Sequence, residues 1–316
     1  MTRNPGALLL LTALLLPACA GGAASRPPAE APRVEALSFL GRPLFSPEPT
    51  PQARERLQRD LEEARAAYNS NPNDADAIIW LGRRFAYLGQ YRYAIETFNE
   101  GIAKHPQDAR MYRHRGHRFI TTRQLGRAIA DLERAAELVA GRADEVEPDG
   151  APNRFNIPVS TLQTNIWYHL ALAHYLRHDF EAALPAWRRA VELSTNDDML
   201  VASMDWLYMT LRRLGRHDEA RRALDRISPE MRILENAAYH RRLLMYKGLL
   251  SPDSLMPEDT DEAVQVATYG YGLANWHLVN GDLVAADQLF RRILEGGNWA
   301  AFGFIAAEAE VAGGAR

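Results

Sequence analysis

The stretch at residues 75–108 reads ADAIIWLGRRFAYLGQYRYAIETFNEGIAKHPQD and contains the pattern that decides the fold. Small residues at Gly82 and Ala94 would allow two helices to approach closely, while Leu81 and Phe98 would fill the space between them. A glycine lies between the two helical stretches, where a turn often needs a positive φ, and a proline ends the second stretch. The pattern predicts a pair of helices whose shared apolar face must be covered by further helices.

This pair resembles one tetratricopeptide repeat (TPR), whose consensus is W-x2-L-G-x2-Y…A-x3-F…P, with Ile78 at the Trp position and Phe85 at the Tyr position. A second copy begins directly after it, at Ala109. Further copies with the same pattern span about 164–197, 201–234 and 267–300. Residues 52–69 form an amphipathic half-repeat before the first copy. The resemblance implies an all-α, TPR-type α-solenoid of about five to six helix–turn–helix repeats over residues 52–312.

The repeat spacing is interrupted twice. Residues 141–163 (GRADEVEPDGAPNRFNIPVSTLQ) separate the second copy from the third, and long loops of this kind in compact domains are often functional. Their proline and glycine content argues against a helix, and we expect a loop that folds over one end of the groove. The second interruption, residues 235–266, is expected to contain one degenerate repeat.

Residues 1–18 (MTRNPGALLLLTALLLPA) have the layout of a signal peptide, with one arginine, an apolar run and small residues. The run is too short for a typical membrane-spanning helix. It ends in Leu-Pro-Ala-Cys, which resembles the lipobox of bacterial lipoproteins. The resemblance implies cleavage before Cys19, diacylation of its thiol and, because Ala20 follows, an outer-membrane lipoprotein facing the periplasm. The alternative is ordinary cleavage after Ala20, which would give a soluble periplasmic or secreted protein.

Residues 19–51 follow as a proline-rich tether. Seven prolines between residues 27 and 51 favour extended, poorly packed chain. The apolar stretch at 37–45, LSFLGRPLF, could dock on the first helices, but the composition favours a partly ordered linker. We therefore expect the folded region to begin at residue 52.

The charges and the cysteine content exclude several classes of function. The 316 residues include 37 basic and 40 acidic side chains, a net charge of −3, which gives no electrostatic support for nucleic-acid binding. Cys19 is the single cysteine, so an internal disulfide is impossible. A zinc site built from several cysteines is excluded for the same reason.

The sequence contains no glycine-rich phosphate loop, no H-E-x-x-H motif and no nucleophile elbow, so we predict neither a catalytic site nor a cofactor. His174 and His178 are four residues apart, as metal ligands on a helix can be, but His174 occupies a repeat position that packs within the helix pair. We therefore predict no metal site. Glu145, Glu147 and Asp149 match early positions of a calcium loop, but a proline interrupts them, which favours a solvated acidic loop.

The inner face of the solenoid is the remaining candidate site. In TPR proteins the first helix of each pair lines the concave groove, so the resemblance places exposed, inward-facing side chains at fixed repeat positions. Aromatic and arginine side chains are enriched at interface hot spots, and arginine suits the carboxylates of a peptide. The predicted partner-binding residues are Arg83, Tyr87, Arg113, His117, Tyr168, Tyr175, Arg212 and Tyr271.

These features predict an exported, lipid-anchored scaffold that binds a protein or peptide partner in the bacterial cell envelope without a chemical step. One alternative is an enzyme of unrecognised type with its site in the groove near the 141–163 insert. Clustered, perturbed acid–base groups would favour that alternative. Another is a structural spacer that binds its own copy, which a large apolar patch at the C-terminal end would favour.

Overall fold

The computed structural model describes residues 1, 33–255 and 263–313, with only the backbone of residues 263–265. Cys19 and the predicted signal peptide after Met1 lie outside the described residues. The elements of the described part are β1 (Val34–Leu37), β2 (Pro43–Phe45), α1 (Pro51–Ser70), α2 (Ala75–Tyr87), α3 (Tyr91–Lys104), α4 (Ala109–Thr121), α5 (Leu125–Val139), α6 (Leu162–Leu176), α7 (Phe180–Leu193), α8 (Asp197–Arg213), α9 (His217–Ala223), α10 (Ala237–Tyr246), α11 (Ala263–Val279), α12 (Leu283–Leu294) and α13 (Phe302–Gly313). None of these helices has both the length and the hydropathy needed to cross a membrane.

Local signals define each helix pair, as α2 and α3 illustrate. The Asp74 side chain caps α2 by accepting a backbone hydrogen bond from its first turn at 2.7 Å. Gly89 adopts a φ of 73° in the turn, a left-handed conformation that favours glycine. Gly82 lies so close to the Phe98 ring that a Cβ on it would meet the ring at 2.5 Å. Gly82 and Ala94 are both buried, which confirms the predicted crossing of the two helices.

Five helix pairs follow the predicted repeats and confirm the all-α, TPR-type solenoid. They are α2–α3, α4–α5, α6–α7, α8–α9 and α11–α12, and α1 precedes them as the predicted half-repeat. The two helices of each pair pack on each other, neighbouring pairs are in contact, and one hydrophobic core extends from Ala36 to Ala307. The second helix of the fourth pair is short, because α9 changes into a 3₁₀ turn at Leu224–Arg226.

The interruption at 235–266 contributes one helix, α10, and a 3₁₀ turn at Pro252–Ser254 in its described part. This helix packs between α8 and α11. Arg242 on α10 is wholly buried, and its Nη2 lies 2.7 Å from Oδ2 of the equally buried Asp205 on α8. Because buried charges need partners, this ion pair fixes α10 within the solenoid.

The last helix, α13, packs against the inner side of the solenoid. Phe302 at its start contacts His117 on α4 and His169 on α6. Gly303 lies directly against the backbone of Ala267 on α11, where a side chain would not fit. The small residue therefore allows two helix backbones to approach closely, and α13 covers the concave face of the later repeats.

Two buried glutamates hold α13 in place. Glu308 accepts hydrogen bonds from Arg123 Nη2 at 2.9 Å and from the backbone N–H of Phe39. Glu310 Oε1 lies 2.6 Å from Arg213 Nη1. Both glutamate side chains are only 1% exposed, so their charges depend on the arginines for compensation.

Two of the turns between paired helices carry a side chain in the left-handed region of φ. Arg123 has a φ of 62° and His178 a φ of 59°. The turns of the other three pairs carry glycine: Gly89, Gly215 and Gly281. This conformation costs roughly 1–2 kcal/mol for a residue other than glycine. Both side chains face α13, since Arg123 binds Glu308 and His178 Nε2 lies 3.6 Å from Glu310.

Part of the predicted tether is folded, because β1 and β2 form an antiparallel hairpin that packs on the solenoid. Glu35 accepts a hydrogen bond from the backbone N–H of Arg92 at 2.9 Å, and Trp299 Nε1 donates to Phe45 O at 2.7 Å. The expectation of poorly packed chain is therefore wrong for residues 33–45. The polar contacts and the docked apolar side chains offset the entropy lost when this chain is ordered.

Candidate functional site

The groove beside the first three repeats holds a stretch of the insert, residues 145–150, which we call the groove segment. Its backbone pairs with the chain that enters α6. Glu147 N–H donates to Ser160 O at 3.0 Å, and Leu162 N–H donates to Glu145 O at 2.9 Å. This pairing extends the groove segment alongside the inner face of α2 and α4.

Arginines of α2 bind the backbone carbonyls of the groove segment. Arg83 Nη2 donates to Pro148 O at 2.8 Å and to the Tyr87 hydroxyl at 3.2 Å. Arg84 Nη1 donates to Gly150 O at 3.0 Å. Gly150 lies so close to the Tyr87 hydroxyl that a side chain at position 150 would displace it. Two of the predicted groove residues, Arg83 and Tyr87, thus contact an extended polypeptide.

Arg113 on α4 binds the carboxylate of Glu147. Its Nε lies 2.9 Å from Glu147 Oε2, and Asn165 Nδ2 on α6 donates to the same oxygen at 3.2 Å. The two ionic side chains are 8% and 10% exposed. The expectation that Arg83 and Arg113 are exposed is therefore wrong, because the insert covers them. The interpretation of Glu147 as part of a solvated loop is wrong for the same reason.

A cavity of about 200 Å³ adjoins the groove segment and is lined by His114 and His117 of α4. The His114 ring stacks on Phe98 with centroids 5.6 Å apart, and the His117 ring lies 4.3 Å from that of His169 on α6. Burial, and secondly the nearby arginines, lower the pKa of all three histidines well below the usual value. The three rings are therefore neutral at pH 7.

Arg118 also lines this cavity and is an unpaired cation. Its guanidinium lies 5.5 Å from the centre of the Tyr91 ring, but it forms no hydrogen bond or ion pair with any residue that the structure describes. Burial lowers the pKa of Arg118 to about 10, with Tyr91 opposing the shift and Arg113 adding to it. The side chain remains charged at neutral pH, so this part of the cavity favours an anion.

Acid is expected to destabilise the protein through the three histidines. Each binds a proton near pH 6.5 in the unfolded chain but stays neutral to lower pH in the folded chain. The stability that they contribute is therefore fully present above pH 6.5 and is lost as the pH falls below it. Burial raises the pKa of Asp205 to about 7 against the pull of Arg242, so this carboxyl acts in the opposite direction.

With three histidines opposed by one aspartate, these four groups should lower the free energy of unfolding by up to roughly 3 kcal/mol per pH unit between about pH 6.5 and 5.5. The partly buried His174 and His178, whose pKa values burial also lowers, act in the same direction as the three histidines. Urea titrations at pH 7.5, 6.5 and 5.5 measure this slope. His117→Gln should reduce the slope by about 1.4 kcal/mol per pH unit. The matched change at the exposed His217, His217→Gln, should leave it unchanged. Equal slopes for the two variants would contradict the neutral, buried state of His117.

A second cavity, of about 250 Å³, gives the groove an aromatic part. Tyr168 of α6 lines it, and its hydroxyl lies 3.2 Å from that of Tyr239 on α10. The Tyr168 ring packs edge-on against Trp187 with centroids 5.0 Å apart, which fixes its orientation. The two cavities share Asn165 and Glu235 in their walls, so the basic and aromatic parts adjoin.

Tyr175 and Tyr271 lie in the interior, away from the groove. Their side chains are 1% and 0% exposed, and their hydroxyls are 2.9 Å apart. The Tyr271 hydroxyl also lies 3.3 Å from Glu310 Oε1 of α13. The expectation that these two tyrosines are exposed in the groove is wrong, because α13 covers the inner face at their repeats.

Arg212 lines neither cavity. Its Nη2 donates to Asn280 Oδ1 at 2.7 Å and to Val279 O at 3.1 Å, and its Nη1 donates to the Tyr208 hydroxyl at 2.9 Å. These bonds join the end of α8 to the end of α11. The prediction that Arg212 binds a partner therefore finds no support in the position of its side chain.

Repeat positions alone missed several groups that shape the site. These groups are Glu147, Arg118, His169 and Tyr239. The available signal was the charge of α4, which carries four arginines and two histidines in thirteen residues. The acidic loop that follows α5 carries the opposite charge, which favours a contact between this loop and α4.

The hydrogen bonds of the three buried histidines bear on whether the site could perform catalysis. Among the described residues, none of the three buried histidines makes a hydrogen bond to a carboxylate or hydroxyl that it could activate. His169 Nδ1 lies 2.6 Å from the backbone oxygen of Asn165, and His114 Nδ1 lies 3.0 Å from Arg113 Nη1. Within the same residues, no group of three or more His, Cys, Asp and Glu side chains is arranged to hold a metal ion.

The helix pairs and their inner groove define a TPR-type α-solenoid. No protein-family model matches the chain, and no curated protein sequence matches it. Similar solved structures include a TPR protein from Parabacteroides merdae, 14% identical, covering 81% of this chain and 93% of that chain with a TM-score of 0.47. Another is PilF of Pseudomonas aeruginosa, 15% identical over 77% and 85% of the two chains with a TM-score of 0.45. A third is YrrB, described as a TPR protein with an unusual peptide-binding site, 16% identical over 74% and 92% with a TM-score of 0.42. At these identities and scores, the likenesses carry no argument about function.

Proposed function

We propose that this protein is an exported scaffold of the bacterial cell envelope, which holds an extended segment of a protein partner in the groove of its first three repeats. It is anchored through a lipid on Cys19 to the outer membrane, facing the periplasm. Its action is recognition, without a chemical step or a cofactor. Export and anchoring are supported by the sequence of residues 1–20, and the binding role by the geometry of the groove.

The observation that carries the proposal is the way in which the groove already binds polypeptide. Arg83 and Arg84 donate to backbone carbonyls of the groove segment, and Arg113 binds its carboxylate. Contacts to backbone atoms suit any extended peptide, while the carboxylate contact selects for acidic sequence. The adjoining aromatic cavity offers Tyr168 and Tyr239, a residue type that is enriched at binding hot spots.

The two alternative functions receive less support. An enzyme would need a base paired with a group that it activates, and the perturbed histidines of the groove lack such a partner among the described residues. A self-associating spacer was expected to expose an apolar C-terminal helix. Residues 303–310 of α13 are buried instead, which removes the surface on which that hypothesis depended.

Photo-crosslinking in living cells tests the proposal. A photoreactive residue is introduced in place of Glu235, which lies in the wall of both cavities, and the control replaces the exposed Glu133 on α5. The groove position should give a crosslink to a distinct envelope protein, identified by mass spectrometry, and the control should not. A partner captured only from Glu133, or from neither position, would place the binding site elsewhere.

Lipidation makes a separate prediction. The diacyl group on Cys19 supplies two acyl chains, enough for stable membrane attachment, whereas one chain binds only marginally. Cys19→Ala should therefore release most of the protein from the membrane fraction, and Cys19→Ser should do the same. Membrane fractionation followed by mass spectrometry of the mature N-terminus measures this. An unmodified N-terminus at Gly21 would establish ordinary signal cleavage instead.

A further inference from the structure

The groove segment makes the contacts that a bound peptide would make. The segment 145–150 is held at two places, at Glu147 by Arg113 at 2.9 Å and at the Gly150 carbonyl by Arg84 at 3.0 Å. Between them the Pro148 carbonyl accepts from Arg83 at 2.8 Å. These are contacts to a carboxylate and to backbone oxygens, which another acidic peptide could make in the same places.

The insert is held almost wholly by polar contacts. Val159 is the only buried residue between positions 141 and 160, and Pro148 and Asp149 are exposed. The Asn153 side chain organises the outer part, with Nδ2 bonds to Ile157 O at 2.7 Å and to Glu235 Oε2 at 3.0 Å. Because little apolar surface anchors the insert, the insert can open locally while the solenoid stays folded.

The groove segment does not supply a carboxylate to every arginine of the site. Arg118 lines the adjoining cavity of about 200 Å³ without a hydrogen-bond or ion-pair partner among the described residues. Arg83, in the same wall, donates hydrogen bonds to oxygens of Pro148 and Tyr87 and pairs with no carboxylate among the described residues. A second acidic side chain on an incoming peptide would therefore gain a contact that the groove segment does not make.

We propose that residues 145–150 are an internal competitor for the groove, displaced by an extended acidic peptide that places one carboxylate on Arg113 and a second on Arg118. The proposal rests on the proposed function, since it names the class of segment that the partner presents. A tethered competitor acts at a local concentration on the order of millimolar, so it excludes weak acidic ligands. The second carboxylate lets the intended partner outcompete it.

A fluorescent peptide with the sequence of residues 144–151, DEVEPDGA, is the probe. It should bind the unmodified protein weakly, because the tethered copy occupies the groove. Glu147→Gln removes the carboxylate of the tethered copy and should tighten probe binding at least tenfold. Asn153→Ala loosens the insert without changing a groove arginine and should act in the same direction. Fluorescence anisotropy measures the affinities, and circular dichroism checks that each variant is helical.

Two controls make the test specific. The same peptide with Gln in place of the glutamate that corresponds to Glu147 should bind the Glu147→Gln protein at least tenfold more weakly than the probe. A scan that places Glu at each position of the probe should find at least one peptide that binds tenfold more tightly, and Arg118→Gln should abolish that gain.

The proposal is overturned if neither loosened variant binds the probe more tightly than the unmodified protein does. It is also overturned if the Gln peptide binds as well as the probe, or if no gain in the scan depends on Arg118. These results differ from a failure of the proposed function. If a partner crosslinks from Glu235 but Glu147→Gln has no effect on probe binding, the proposed scaffold function is supported. Only the proposal that residues 145–150 compete for the groove is then contradicted.

Discussion

Arg123→Gly is expected to lower the free energy of unfolding by about 1–4 kcal/mol, although it relieves backbone strain. Removing the side chain from a residue with a φ of 62° relieves strain and raises the free energy of unfolding by roughly 1–2 kcal/mol. The same change leaves Glu308 without its arginine in a site where the carboxylate is 1% exposed. An uncompensated buried charge costs roughly 3–5 kcal/mol, so the loss outweighs the gain.

His178→Gly is the matched control, because His178 occupies the equivalent turn with a φ of 59°. Its Nε2 lies 3.6 Å from Glu310 and makes no hydrogen bond to it, and Glu310 keeps Arg213 at 2.6 Å. Strain relief should therefore balance the lost packing, and the change should lie within about 1 kcal/mol of zero. Urea unfolding of both variants measures the difference. If Arg123→Gly and His178→Gly change the free energy of unfolding equally, the ion pair between Arg123 and Glu308 does not stabilise the protein.

Arg242→Met should cost about 3–5 kcal/mol, because it leaves Asp205 buried without its cation. Both side chains are 0% exposed, and among the described residues the Asp205 carboxylate accepts no hydrogen bond and has only its ion pair with Arg242. Burial already raises the pKa of Asp205 to about 7, so without Arg242 the carboxyl should bind a proton on folding. The free energy of unfolding lost in Arg242→Met should therefore be smaller at pH 6 than at pH 8.

The double change Asp205→Leu with Arg242→Met separates the ion pair from the packing. Replacing both charges with apolar groups of similar size removes the desolvation penalty of each, so the double variant should be more stable than Arg242→Met alone. Denaturant titrations of the single and double variants at the two pH values give the coupling energy. A double variant less stable than the single one would contradict the expected cost of burying the Asp205 carboxylate without its cation.

The helix pairs were predictable because they depend on local spacing. Gly82, Ala94 and Phe98 specify one crossing within 17 residues of chain, and the same pattern recurs in the later copies. The hairpin of β1 and β2 was not predictable in this way, since its contacts join residues far apart in sequence. Trp299 donates to Phe45 O, and Phe39 N–H to Glu308, across more than 250 residues.

The inner-face residues were predictable only as far along the chain as Tyr168 on α6. Arg83, Tyr87, Arg113, His117 and Tyr168 line the groove or contact the groove segment. The rule fails for Tyr175 of the third repeat and for Arg212 and Tyr271 of the later repeats, because a regular solenoid would leave open the space that α13 fills. The apolar C-terminal sequence predicted a helix. It did not predict where that helix packs, because Glu308 and Glu310 pair with arginines that lie far away in sequence.

Amide hydrogen exchange of residues 145–162, measured by mass spectrometry with and without saturating DEVEPDGA peptide, tests most directly whether the groove segment is a displaceable ligand. The amides of Glu147 and Leu162 are bonded within this stretch, so they report its position. We predict that the peptide accelerates their exchange as the segment leaves, while α2 and α4 exchange as slowly as before or more slowly. Bound peptide that leaves these amides unchanged, or slows their exchange, would show that the groove segment is a fixed part of the wall.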